Sequence, residues 1–454
     1  MDHLPVELIS HIFIFGCDFA GFYGFIASGF HSPLLNDPLK GIEESDPTWD
    51  RFRVTITSVS KMWRRIAYST AELWSIISIR LMKSQLDTPS SFLNACLENS
   101  KTRPLDIALY GIDCNQIMAM WEMLIPALTR CRSLHLIIPV RIFQFMTPLP
   151  TDLGLLEELS LTTNPTGGHG NFRRVKILPT PSHIPRLRRL RLTEVYDRMI
   201  AAAPLENLDE FALECHGTTS PSTVVRLRNI QHLALNSHLS STQALESIEF
   251  PNLKTLEFYD EFIVRLIRAP NLIHITTEHM RFLPMLAPDT FPRLREVEIR
   301  DSRVHAWGAD FQNLSHHQFM PSVEIFRLPR QNLAAFRISV SMLLDLGMNE
   351  STLQEDPNGL FPSLRTLYCT SISVDPGSSS EFRDLDDALS RTVHEYLNGL
   401  LIKLLQQRPM LSVVVPDGVM TPALMDTLAP ELGSRVINSN AVSEAALMAA
   451  QSRF

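Results

Sequence analysis

The sequence predicts an α/β protein in which a short helical module is followed by an irregular solenoid of short parallel strands. Three observations carry this reading: a six-residue pattern, L-x-x-L-x-L, that recurs along the chain; a proline at a fixed offset ahead of it; and amphipathic helical segments bearing Trp63 and Trp74 within roughly the first 80 residues. The 454 residues, 45% hydrophobic and 20% charged, have the composition of a folded chain able to bury a large core.

The pattern occurs as CRSLHL (from Cys131), LEELSL (Leu156), LRRLRL (Leu187), LDEFAL (Leu208), IQHLAL (Ile230), LKTLEF (Leu253), LIHITT (Leu272), LREVEI (Leu294), VEIFRL (Val323) and LRTLYC (Leu364), with a weaker copy, LSVVVP, at Leu411. Between Leu187 and Leu294 successive starts are 21, 22, 23, 19 and 22 residues apart, the period of leucine-rich repeats. Outside that stretch the spacing widens. Each copy is expected to supply a strand with its leucines turned inward, the intervening chain returning outside as helix or irregular segment.

Proline stands two residues before the first apolar position at Pro185, Pro251, Pro270, Pro292, Pro321, Pro362 and Pro409, far more often than chance placement of 30 prolines would give. Proline has no backbone donor and is tolerated at the first residue of a strand, so each is expected to open one. The solenoid is assigned to residues 81–418. A helix is expected over 380–408, where Leu385, Leu389, Val393, Leu397, Leu400 and Leu404 follow i+3/i+4 spacing, and a C-terminal cap or tail of partly helical composition over 419–454.

At the N-terminus, Leu4, Leu8 and Ile12 lie on one helical stripe, with Pro5 where a first turn tolerates it, and a buried helix face is expected there. Val59, Trp63 and Ile66 form a second stripe that leaves Lys61, Arg64 and Arg65 to solvent, followed by Leu73 and Trp74. These residues resemble the F-box pattern: Leu4-Pro5, Glu7 and Ile12-Phe13 in a first helix, Val59, Trp63-Arg64 and Ala67 in a second, then Leu73-Trp74. The arrangement, with loose leucine-rich repeats behind it, is similar to F-box proteins of mushroom-forming fungi. It departs from them in an insert at about 16–50; the small or cysteine position before the basic residue is Ser60.

The resemblance implies an F-box-like module over 1–80 whose Leu4, Pro5, Leu8, Ile12, Phe13, Val59, Trp63, Ile66, Leu73 and Trp74 dock on a Skp-family adaptor and, through it, a cullin. The repeats would hold a protein substrate of a ubiquitin ligase. A leucine-rich-repeat scaffold or GTPase regulator without a ligase is the alternative. On either reading no enzyme is expected: G-x-S-x-G, H-E-x-x-H and the phosphate-binding glycine motifs are absent, and Ser58-x-x-Lys61 lacks companion motifs. Gly167-Gly168-His169-Gly170 reads as a loop between repeats and His316-His317 as surface. Neither a cofactor nor a metal site is implied.

A net charge of -8 argues against nucleic acid, and the acidic start MDHLPVEL ahead of the apolar run Ile12–Phe30 argues against a secretory signal or membrane span. Six scattered cysteines without a C-x-x-C pair suit a reducing compartment, cytoplasmic or nuclear. The local exception to the acidic balance is Arg173–Lys176 together with Arg189 and Arg191. The last two flank Leu190 on the face opposite the core and are expected to meet an acidic or phosphorylated partner segment.

Overall fold

The computed structural model describes residues 4–17, 48–81, 87–111, 113–139, 142, 153–164, 183–193, 205–239, 247–277, 286, 289–300, 322–332, 363–373, 405, 410–415 and 436–438. The chain forms two compact units, Met1–Leu208 with Ala212–Cys215, and Asp209–Phe211 with His216–Phe454.

The first unit opens with helices α1 (Val6–Cys17), α2 (Thr48–Val59), α3 (Lys61–Ser69) and α4 (Ala71–Ser75). Ser60 separates α2 from α3. Its backbone is extended (φ -157°, ψ 165°) and its hydroxyl accepts a hydrogen bond from the Trp63 amide at 3.1 Å, the N-cap geometry that serine favours. Val59 therefore ends one helix while Trp63 and Ile66 belong to the next. The expected single stripe is divided.

Five parallel strands follow in the order β1 (Ile76–Leu81), β2 (Leu105–Gly111), β3 (Cys131–Pro139), β4 (Glu158–Asn164) and β5 (Arg189–Thr193). Helices α5 (Asp87–Asn99) and α6 (Cys114–Leu124) make the first two crossovers. α6 packs so closely on β2 that a Cβ added at Gly111 would lie 2.8 Å from Ile117 Cγ1 and 3.2 Å from Leu81 Cβ. In register, Ile77, Ile107, Leu134, Leu159 and Leu190 form one buried row, and Ile79, Leu109, Leu136, Leu161 and Leu192 a second.

The helices are joined to the first strand by Arg53. This α2 side chain is 2% exposed, donates to the Ile76 carbonyl and lies near the rings of Trp74 (5.9 Å) and Phe92 (5.7 Å). A buried guanidinium is costly unless its donors and flat faces are matched; here the Ile76 carbonyl and Cys96 Sγ (3.7 Å) take the two terminal nitrogens and two aromatic rings lie near the group, while Nε has no hydrogen-bond acceptor.

After β6 (Glu210–Thr219) and α7 (Pro221–Arg226), the second unit continues the same plan. Eight parallel strands run in the order β7 (His232–Leu239), β9 (Thr255–Phe258), β11 (His274–Thr277), β12 (Glu296–Ile299), β13 (Ile325–Asn332), β14 (Thr366–Ser373), β15 (Ser412–Val415) and β16 (Val436–Asn438). A separate two-stranded pair joins β8 (Ile248–Glu249) to β10 (Ile267–Arg268), on either side of α8 (Glu261–Leu266). Leu233, Leu256, Ile275, Val297, Phe326, Leu367 and Val413 stack as one buried row. The protein is thus α/β with long parallel sheet in each unit.

Pro185, Pro251, Pro270 and Pro292 do not open strands. In each well-described copy the amide of the first repeat leucine closes a β-turn onto the residue before proline: Leu187 onto Ile184 (3.2 Å), Leu253 onto Phe250 (3.4 Å), Leu272 onto Ala269 (3.1 Å) and Leu294 onto Phe291 (3.2 Å). Proline occupies the second position of that turn, where its fixed φ is already correct. Copies without proline make the same turn, as from Leu153 to Leu156 (2.9 Å). The strand begins two residues after the leucine, and the turn's first residue is buried in every case. The working repeat is therefore an apolar residue, two turn residues, then L-x-x-L-x-L.

Of the segments expected to be helical at the C-terminal end, 380–408 lies outside the described residues apart from buried Leu405. Within the expected C-terminal cap or tail, residues 436–438 are strand β16 paired with β15, so at that point the sheet's ladder prevails over helical composition. Most of the 16–50 insert, Arg173–Lys176, Gly167–Gly170 and His316–His317 also fall outside the described residues.

Candidate interaction surfaces

The N-terminal helices form a core around aromatic rings. Phe13 meets Trp63 with centroids 5.1 Å apart, Tyr68 stacks on Trp74 at 5.1 Å, and Trp74 Nε1 donates to the Ala67 carbonyl at 2.8 Å. Ser10 and Thr70 hydroxyls are 3.1 Å apart, so α1 runs antiparallel to α3. Ile9, Phe13, Ile66, Leu73 and Trp74 are buried, and Trp63 is half-buried.

The remaining residues expected to bind an adaptor point the other way. Leu8 is 51% exposed, Ile12 55% and Val59 54%; Leu4 and Pro5 are exposed as well. The stripe Leu4, Leu8, Ile12, expected to be the buried face of α1, is its outer face. Helix α1 (VELISHIFIFGC) is apolar on both sides; Ile9 and Phe13, one turn apart, are the buried pair, and Phe13 meets the Trp63 ring. Lys61, Arg64 and Arg65 are exposed as expected.

The non-core face of the sheet differs between the units. In the first it is covered at β2 and β3, where all seven residues of β2 are buried, as are Ser133 and His135, and half-exposed on β1 and β4. Asp106 takes Arg132 through both carboxylate oxygens, and Glu158 holds Arg189 at 2.8 Å. Arg189 thus remains exposed but is already engaged, while Arg191 beside it is half-buried. The Ser133 hydroxyl lies 2.7 Å from His135 Nε2, and the same nitrogen is 3.7 Å from Glu158. Serine and carboxylate meet one nitrogen rather than opposite sides of the ring, which is not the geometry of a proton relay. Burial, then the charges of Arg191 and Arg189, push the imidazolium of His135 down to about 4, so the ring is neutral near pH 7 and its contact with Glu158 is no ion pair.

In the second unit the corresponding face is half-exposed and carries a polar ladder that lies across the strands. Thr255, His274 and Glu296 are neighbours in one register row, and Glu257, Thr276, Glu298, Arg327 and Tyr368 in the next. His274 stands 3.3 Å from Glu296 through Nδ1, and 3.8 Å from Glu298 and 2.9 Å from Thr276 Oγ1 through Nε2. Arg300 bridges Glu257 and Glu298, and Arg327 pairs with Glu296 while lying 4.0 Å over the Tyr368 ring. The hydrogen bond from His274, reinforced by Arg327 and opposed by burial, lowers the carboxyl of Glu296 to about 2. The sequence reading did not single these residues out. Their signal was the pair of x positions in each L-x-x-L-x-L, compared between neighbouring copies.

Among the described residues there is no group of three or more His, Cys, Asp or Glu side chains able to hold a metal ion, and no helix long and apolar enough to cross a membrane. No protein-family model matches the chain, and no curated protein matches it significantly.

Proposed function

We propose that the protein is a substrate adaptor of a Skp-cullin-F-box ubiquitin ligase, its N-terminal helices docking on a Skp-family protein and its repeats binding the target. One observation carries the reading. A helix anchored by Ile9 and Phe13 leaves Leu4, Leu8 and Ile12 in water, and a contiguous exposed apolar stripe on a small module is a surface suited to a partner. The resemblance of Leu4-Pro5, Glu7, Trp63-Arg64 and Leu73-Trp74 to the F-box pattern supplies the kind of partner. For the target, the half-exposed polar ladder of the second unit offers fixed charges and Tyr368 on a sheet face of the sort repeat proteins use for binding.

The test is copurification with a Skp-family adaptor. Leu8→Ala with Ile12→Ala removes apolar surface that contributes little to the fold, so adaptor recovery is expected to fall at least about tenfold, roughly 1.4 kcal/mol, with circular dichroism unchanged. Wild-type recovery in the double variant would reject the proposal.

A further inference from the structure

The outer face of α2 and α3 is as informative in charge as α1 is in hydrophobicity. From Phe52 to Ser69 there is no acidic residue, while Lys61, Arg64 and Arg65 are all exposed, in a chain of net charge -8. Arg64 donates Nε to the Thr57 carbonyl at 2.7 Å and helps to hold the α2–α3 corner. Among the described residues Lys61 and Arg65 make no ion pair. The next carboxylate, Glu72, is taken by Arg103. Val54, Val59, Met62 and Tyr68 lie exposed on these same two helices.

We infer that the adaptor docking on this module presents acidic side chains to Lys61 and Arg65, so that charge steers an encounter which the apolar stripe then holds. The inference rests on the adaptor reading above. Opposite charge across an interface acts mainly on the association rate and is screened over about 8 Å at physiological salt. A protein surface fits better than an anionic membrane. Of the aromatic side chains that would anchor in lipid headgroups, Trp63 is half-buried against Phe13 and Tyr68, though exposed, is stacked flat on Trp74.

The experiment measures association and dissociation rates of the full chain with a purified Skp-family adaptor between 0.05 and 0.5 M salt (about 14 to 4 Å of screening length), for wild type and for Lys61→Glu with Arg65→Glu. Expected are an association rate reduced about tenfold in the variant at low salt, a dissociation rate within about twofold of wild type, and convergence of the two proteins at high salt. Folding is controlled internally. Position 61 lies in the first turn of α3, where the helix dipole favours glutamate over lysine, so the melting temperature is expected to be unchanged or raised. Equal association rates and equal salt dependence would overturn the inference while leaving the adaptor reading intact. Absence of any wild-type binding would overturn both. Charge-dependent binding to vesicles containing phosphatidylserine, with adaptor binding unaffected, would assign the cations to a membrane and overturn the inference as well.

Discussion

His135 makes the acid stability of the first unit predictable. Its ring is buried beside Ser133, and burial with Arg191 and Arg189 lowers its pKa from the ordinary 6.5 to about 4. Between those values the unfolded segment binds a proton that the folded one does not, so stability falls as pH falls through this window and is unaffected by His135 above it. For a 6.5-to-4 shift the loss is about 2 kcal/mol at pH 5 and approaches roughly 3 kcal/mol near pH 4. Because a chain of two units need not unfold in one step, the appropriate assay is local. Hydrogen-exchange protection of β3 and β4 amides, corrected for the intrinsic pH dependence of exchange, should fall about 30-fold between pH 7.5 and 5. In His135→Gln, which keeps a polar side chain beside Ser133 but cannot titrate, that extra loss should be absent. Equal pH dependence in the two proteins would refute the reasoning, as would a directly measured His135 pKa at or above 6.

Three further outcomes follow from packing and charge. Leu256→Ala, in the middle of the second unit's buried row, should cost about 2 to 5 kcal/mol by cavity formation in urea titrations, whereas Thr255→Ser, half-exposed beside it, should change little. Gly111→Ala places a methyl 2.8 Å from Ile117 and should cost about 1 to 3 kcal/mol, with Ile117→Val restoring part of the loss. Arg189→Ala with Arg191→Ala should weaken capture of an acidic or phosphorylated target, measured by quantitative proximity labelling. Since Glu158 already holds Arg189, Glu158→Gln should strengthen the same capture, and an unchanged partner list in both variants would remove these arginines from target binding.

The parts of the fold legible in the sequence are those in which one sheet face is buried and the other is not. All ten L-x-x-L-x-L copies fall on strands, and Leu190, Leu235 and Leu256 are buried as their register requires. Strand β2 escaped the pattern for the same physical reason. LDIALYG is buried at every position, so it shows no alternation and could not be told from a buried helix by period. In α1 the period was visible but its phase was not, because both faces are apolar and the choice of Ile9–Phe13 over Leu8–Ile12 depends on rings 50 to 60 residues away. Pro185, Pro251, Pro270 and Pro292 were correctly linked to the repeat but placed in the wrong element, since a turn and a strand start both suit them. The ladder of His274, Glu296, Glu298, Arg300 and Arg327 needs cross-strand register, which leucine spacing within one copy does not supply.

Arg53 has a consequence for how the molecule can be divided. Its guanidinium belongs to α2 by sequence, to β1 by hydrogen bond and to α5 by its neighbour Phe92, so three elements share one buried charge. Cutting the chain after residue 80 would leave that charge facing water where Phe92 had been, and would strip the first strand of its neighbour β2. The helices and the opening strands are in that sense a single mechanical part. A protein seated on α1 would hold β1 to β3 through a joint with no slack in it, and the direction in which those first strands face would be fixed at Arg53 rather than left to a linker.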